Sequence, residues 1–241
     1  MKIKVLGTGA VSAVELSPGY LIDGNIIVDV PSGCWKLIES LGHPRMGVED
    51  ILITHFHADH YFDIPYAFIT RMGKTEVPLT IYCGKSGPDR IDSLLKLAYE
   101  DFYNKMKTVP VNYINDDNFK VKNYKVKRYP VNHKGICDCY AYVFDDGEKR
   151  VGFSGDTCLC DGLVKAIEGC SHFICECSKP DPVTEKPESN HMRVKDLESL
   201  ARQFPGCTFY ATHMTTASRA QLEERKIRNV VVLKDLDELE F

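Results

Sequence analysis

No apolar run in the chain approaches the ~20 residues that cross a bilayer, so the sequence predicts no membrane contact. A basic excess is missing too. The 30 Lys and Arg stand against 34 Asp and Glu, for a net charge of −4. That argues against a broadly basic nucleic-acid-binding surface and leaves room only for a local groove. No signal-peptide pattern precedes Ile3-Lys4-Val5-Leu6-Gly7, which reads as a strand ending in a turn. The expected location is therefore the cytoplasm. Ten cysteines in 241 residues are too sparse for a small disulfide scaffold, and none are spaced Cys-x-x-Cys. Without an export signal the thiols are expected to be reduced. Three Cys-x-Cys pairs stand out: Cys137/Cys139, Cys158/Cys160 and Cys175/Cys177. They read first as small apolar side chains in a core, and alternatively as a second, structural metal or redox site. Repeats, low-complexity tracts and long linkers are also lacking. What is present is a 44% hydrophobic composition, enough for a large core. The length favours one domain or two small ones.

Turn residues and hydrophobic spacing divide the chain into elements. Strands are expected over 2–6, 19–23, 25–30, 51–53 and 79–83, with a short helix through Trp35-Lys36-Leu37-Ile38. Helices are expected from Asp59 to Arg71, with Pro65 near its start, and from Asp89 to Asn104, where Ile91, Leu94, Leu95, Leu97 and Ala98 form a stripe. The second half begins again with strands over 110–114, 119–129, 136–144 and 149–153. Helices at 161–168, 194–203 and 217–226 then alternate with strands at 172–176, 208–211 and 230–233. Strands followed by strand–helix alternation, twice, suggest two sheets with helices outside.

The chemistry concentrates in Thr54-His55-Phe56-His57-Ala58-Asp59-His60, where four metal-ligand types occupy six positions after a buried strand. His55 and His57, two apart in extended backbone, face the same side. Asp59 and His60 follow where the chain turns into a helix. One loop could thus serve two metals with imidazole and carboxylate donors, which suit zinc and also iron or manganese. The competing reading, Asp59 as a helix cap among ordinary loop histidines, requires a coincidence on the order of one in a thousand. His133, Asp156 in Gly155-Asp156-Thr157, and His213 in Thr212-His213 each lie near one end of an expected strand. Individually each is weak.

Together these motifs resemble the metallo-β-lactamase superfamily over nearly the whole chain, in order: Leu6-Gly7-Thr8-Gly9-Ala10, Asp29, the His55–His60 signature, His133, Gly155-Asp156-Thr157 and Thr212-His213. The resemblance implies an α/β, four-layer αβ/βα sandwich forming a single domain over 1–241. It implies two divalent metal ions, zinc first and manganese or iron as alternatives. His55, His57 and His133 would hold one ion, Asp59, His60 and His213 the other, and Asp156 would bridge them. The opening motif and Asp59-His60-Tyr61-Phe62-Asp63-Ile64-Pro65 resemble the ribonuclease Z-like and cyclic-phosphodiesterase branch. There, a histidine placed as His191 is would protonate the leaving oxygen, and Glu176 in Cys175-Glu176-Cys177 is the candidate partner that keeps it charged. Gly7-Thr8-Gly9 reads equally as a phosphate cradle or a tight turn. His43 and His172 match no motif.

The expected activity is that of a dinuclear metal-dependent hydrolase, a phosphodiesterase in which a metal-bridging hydroxide attacks phosphorus and His191 is general acid. Asp59 and Glu176 complete the candidate catalytic set. Two carboxylates against two divalent ions leave a positive site suited to a small anionic substrate. Only 23 positions separate His133 from Asp156, where ribonuclease Z carries its transfer-RNA-gripping arm. That shortness and the net charge make tRNA a doubtful partner. A homodimer is what the ribonuclease Z resemblance implies. The alternatives are a hydrolase of carboxyl esters, lactones or thioesters on the same metals, a non-catalytic metal-dependent sensor or binding protein, and a di-iron redox protein. The last branch usually has glutamate where His57 stands.

Overall fold

The computed structural model describes residues 1–74, 76–136, 138–182 and 189–241. Cys137, of the Cys137/Cys139 pair, lies outside the described residues. Two compact units emerge. One comprises Met1–Leu6, Ser17–Asn115 and Leu236–Phe241, the other Gly7–Leu16 and Asp116–Asp235. Among the described residues no helix is long and apolar enough to cross a membrane.

The first unit is built on seven strands: β1 (Lys2–Gly7), β2 (Gly19–Ile22), β3 (Ile26–Val28), β4 (Asp50–Leu52), β5 (Leu79–Tyr82), β6 (Val111–Ile114) and β14 (Glu238–Glu240). Their order is β14-β1-β2-β3-β4-β5-β6. β2 and β3 form an antiparallel hairpin, and β3 to β6 run parallel. Parallel strands are covered on both faces, which is why Ile26-Ile27-Val28 is apolar without alternation and wholly buried. The helices are α1 (Cys34–Ser40), α2 (Ala58–Tyr61), α3 (Ile64–Arg71), α4 (Gly87–Ala98) and α5 (Tyr103–Met106). Trp35, Ile38, Phe68 and Ile91 pack with Ile51 and Ile81 of the strands.

Two helices differ from expectation. The one expected over Asp59–Arg71 is broken into α2 and α3. Asp63 sits at the break with its carboxylate on the Trp35 amide at 2.7 Å. Pro65, lacking an N–H, fits only the first turn of a new helix. The helix expected to reach Asn104 ends at Ala98. Glu100 and Asp101 follow, and negative charge is unfavourable at a helix C-terminus.

The second unit has the strand order β13-β12-β11-β10-β9-β8-β7. These are β7 (Asn118–Val121), β8 (Tyr124–Pro130), β9 (Tyr140–Asp145), β10 (Arg150–Phe153), β11 (His172–Glu176), β12 (Thr208–Thr212) and β13 (Val230–Val232). The single strand expected over 119–129 is in fact the β7–β8 hairpin, turning at Lys122-Asn123 with Lys122 at φ 51°. The alternation breaks there, where Lys122 and Asn123 in succession shift its phase from Phe119 and Val121 to Tyr124 and Val126. The helices α6 (Asp161–Ile167), α7 (Val194–Gln203) and α8 (Thr216–Arg225) bury Leu163, Leu197 and Leu222 with Phe173 and Phe209 of the sheet. The start of α6 lies so close to the end of β8 that a Cβ on Gly162 would stand 1.8 Å from the Pro130 carbonyl oxygen.

β8 and β10 both run antiparallel to β9, while β10, β11 and β12 are mutually parallel. The carboxyl ends of β8, β10, β11 and β12 therefore share one edge of the sheet. His133, Asp156, Glu176 and His213 all lie at or just beyond those ends.

Candidate metal centre

In the first unit the ligand loop leaves β4 and turns into the single-turn α2. The extended backbone puts His55 and His57 on one side, as their spacing requires. Their ring centroids are 4.8 Å apart, and the His60 ring lies 4.1 Å from His55. The Asp59 carboxylate stands 3.8 Å from His60 Nε2. Asp29, at the end of β3, organises this loop. One oxygen accepts from the Thr54 amide at 2.8 Å, and the other from the Thr54 hydroxyl and His60 Nδ1, both at 2.7 Å. Because the Thr54 hydroxyl donates to Asp29, its oxygen accepts from His55 Nδ1 at 3.2 Å. Both imidazoles are thereby held with Nε2 carrying the lone pair, the tautomer a metal requires. Burial pushes the Asp29 carboxyl above its ordinary value, and the charge and hydrogen bonds of His60 and Thr54 pull against it.

In the second unit His133 lies just beyond the end of β8. Its Nδ1 donates to the Asn190 carbonyl at 2.9 Å, which again leaves Nε2 as the donor atom for a metal. The His133 loop and the Asp156 loop are tied together through Thr157. Its hydroxyl accepts from the Asn132 amide at 3.2 Å, and the Cys158 amide donates to the Asn132 carbonyl at 2.9 Å. His213 Nδ1 lies 3.4 Å from Asp156. Asp156, Glu176, His191 and His213 each offer a ligand atom within 4.8 Å of the others.

Glu176, 1% exposed, is locked on both oxygens. The Thr157 amide and His191 Nδ1 donate to one, at 2.7 and 2.8 Å, and the Ser178 amide and hydroxyl to the other. Burial alone would lower the His191 pKa, but the hydrogen bond and charge of Glu176, with Asp156, outweigh it and raise it. His191 also stacks on His213 at 5.6 Å and meets His133 edge-on at 4.6 Å.

His213 has a left-handed backbone, φ 49°, uncommon for a residue with a Cβ. It is held there by the Thr8–Ala10 segment, which brackets Met214. The Met214 amide donates to the Thr8 carbonyl and the Ala10 amide to the Met214 carbonyl, both at 2.9 Å. Thr8 in turn donates to Asp235 at 2.7 Å and accepts from Arg219 at 2.9 Å. The opening glycine motif thus serves as a brace. Arg219 and Asp235 carried no motif in the sequence, and only their contacts reveal them.

The donors fit divalent metal ions: imidazole nitrogens with fixed tautomers and carboxylates, all on nitrogen or oxygen. The cysteines are placed otherwise. Cys175 and Cys177 are buried among the apolar residues of the second unit, and burial raises both thiols. Cys139 is buried, and Cys158 and Cys160 are half-buried.

The family model for the Beta-lactamase superfamily domain matches residues 37–214. The chain belongs to the beta-lactamase superfamily. The chain is similar to ribonuclease Z of Thermococcus sibiricus, 30% identical over 64% of this chain and 50% of that one. Ribonuclease BN of Cronobacter sakazakii is 27% identical over 62% and 51%. The chain spans about half the length of these relatives. Among solved structures, the metallo-beta-lactamase fold protein YhfI of Bacillus subtilis has a TM-score of 0.78 at 20% identity, covering 100% of this chain and 99% of that one. Human tRNase Z, short form, has a TM-score of 0.75 at 18% identity, with 100% and 99% covered. A diphosphatase from the PhnP family has a TM-score of 0.73 at 17% identity, with 100% and 97% covered. These likenesses establish the metallo-β-lactamase fold, in the expected α/β class.

Proposed function

We propose that the protein is a metal-dependent phosphodiesterase, with residues 1–241 acting as one domain. His55, His57 and His133 would hold one divalent ion, and Asp59, His60 and His213 a second, with Asp156 shared. When bound, the ions supply Lewis-acid stabilisation of charge developing on the phosphoryl oxygens. The rest falls to the protein's own side chains. The observation that carries the reading is the Glu176–His191 pair. A carboxylate fixed by three further donors holds His191 Nδ1 at 2.8 Å, so the ring's orientation is set. Its Nε2 is then the atom that delivers a proton to the leaving oxygen. Glu176 is a positioning residue: it orients the ring and favours its charged form. Similarity to ribonuclease Z and to the PhnP-family diphosphatase supports a phosphate ester as substrate.

The test is a panel of bis(p-nitrophenyl) phosphate, a diester with a poor leaving group, a carboxyl ester and a thioester. His191→Ala is expected to lower kcat on the poor leaving group by about 10²–10⁴-fold, with metal content unchanged and a smaller loss on the activated diester. Equal losses on both diesters would remove the general-acid role. Turnover of the carboxyl ester or thioester alone would overturn the phosphodiester assignment.

A further inference from the structure

The segment that carries His191 also orients a candidate ligand. The Asn190 carbonyl accepts from His133 Nδ1 at 2.9 Å, and the next residue places its own Nδ1 on Glu176 at 2.8 Å. Met192, fully buried, anchors the segment in the core of the second unit. Glu176 and His191 stand on separate stretches of chain, and those stretches are joined just past the pair. The Lys179 amide donates to the Met192 carbonyl at 3.0 Å, and the Val194 amide to the Lys179 carbonyl at 3.2 Å. Asp181 then closes the junction. One carboxylate oxygen accepts from the Lys195 amide, in the first turn of α7, at 3.0 Å. The other pairs with Arg225 of α8, which also pairs with Glu198 of α7 at 2.9 Å. The Gln221 side chain of α8 takes both backbone groups of Asp181. Its Oε1 accepts from the amide at 2.8 Å, and its Nε2 donates to the carbonyl at 3.3 Å.

Capping of α7 does not account for this arrangement. Asp196 already serves the start of that helix, accepting from the Arg193 amide at 3.0 Å, and Gln221 acts on the Asp181 backbone, which has no part in α7. Ion-pair stability does not account for it either. Asp181, Glu198 and Arg225 keep part of their side chains in water, and such pairs add little to stability. What the contacts fix is the spacing between the chain just after Glu176 and the chain just after His191. A shift of one stretch against the other changes the Glu176–His191 distance directly, and a misplacement of ~1 Å in a site can cost about 10²-fold in rate. Asp181, Gln221 and Arg225 carried no motif in the sequence, because the bonds that unite them span 14, 40 and 44 positions.

We propose that Asp181, clamped by Gln221 and Arg225, is a positioning residue that keeps the His191 ring in register with Glu176. Its catalytic consequence rests on the phosphodiesterase reading, while the register of the ring stands on these contacts alone. Asp181 acts through His191 and touches no reacting atom. A clamp that served stability only would leave the dependence of rate on the leaving group as it is.

The test compares wild type with Asp181→Ala, Asp181→Asn and Gln221→Ala in the zinc-loaded full chain, labelled with nitrogen-15 histidine. Circular dichroism establishes first that each variant is folded. The His191 Nδ1 proton, held by a carboxylate, gives a resonance that His191→Gln identifies by its absence. Asp181→Ala is expected to weaken or abolish that resonance. It is also expected to lower kcat for the diester with the poor leaving group about tenfold more than for bis(p-nitrophenyl) phosphate. Asp181→Asn, which can still accept from the Lys195 amide, is expected to restore both. Gln221→Ala leaves the carboxylate in place and should shift both readouts in the same direction by less. An unchanged resonance in Asp181→Ala, or in Gln221→Ala should the first variant not fold, would overturn the proposal. So would equal losses on the two diesters. If wild type hydrolyses neither diester, the phosphodiesterase reading fails while the resonance still decides the clamp.

Discussion

Asp29 accepts three hydrogen bonds and thereby sets the ring orientation of two candidate ligands, His60 directly and His55 through Thr54. Asp29→Asn keeps the shape, and asparagine tolerates the left-handed backbone (φ 59°) found there. The substitution is therefore expected to spare the fold. Metal affinity should fall by about 10–100-fold, read by competition with a chromophoric chelator, with unfolding of the metal-free protein as control. Unchanged affinity would mean that the loop orders its own histidines. The signature around His55 was legible because its residues are neighbours in sequence. The importance of Asp29 was only half legible. The family resemblance picked it out, but its three donors come from residues 25 and 31 positions away. Glu176 and His191, 15 residues apart, share a hydrogen bond.

Packing between elements sets the positions of the other candidate ligands. Gly162 at the start of α6 touches the Pro130 carbonyl, three residues before His133. Gly162→Ala must push helix and strand apart, at a cost of about 1–3 kcal/mol. Urea unfolding monitored by circular dichroism would measure it, and a stability equal to wild type would contradict the close approach. At the other end of the site, Thr8→Val removes the buried hydroxyl shared by Asp235 and Arg219. The expected loss is about 1–3 kcal/mol, with weaker metal binding because Thr8 braces the left-handed His213. Neither contact was legible in the sequence. A glycine in a helix and a threonine in a turn are ordinary until the packing partner is known. By contrast, α7 and β11 are found where hydrophobic spacing predicts them, at Val194–Gln203 and His172–Glu176. The β7–β8 turn is not, although two consecutive polar residues, Lys122 and Asn123, interrupt the alternation there.

For the molecule as a whole, stability should depend on metal and on pH. Metal at about 100 times its Kd would stabilise the native state by ~2.7 kcal/mol, so chelation should lower the Tm, and re-addition of metal should restore it. The pH response includes a term from His172. Burial, together with the Lys149 charge, holds its pKa below the ordinary 6.5. The unfolded chain therefore takes up this proton first as pH falls. The stabilisation is complete above about pH 6.5 and is lost as pH falls through the lower folded value. His172→Gln should flatten the stability profile between about pH 7.5 and about pH 5, as read by urea unfolding. An unchanged profile would show that His172 titrates alike in both states.

The sequence by itself determined most of the strands and helices, through periodicity, and the His55–His60 cluster, through spacing within one short stretch. The other three candidate ligands came from the resemblance of the whole chain to a known family. Tertiary structure decided which carboxylate orients which imidazole, which small residues cannot grow, and which helix side chains clamp the chain beside His191. Each of these depends on register and packing between segments distant in sequence, and a one-residue slip in any strand would turn its side chains to the opposite face.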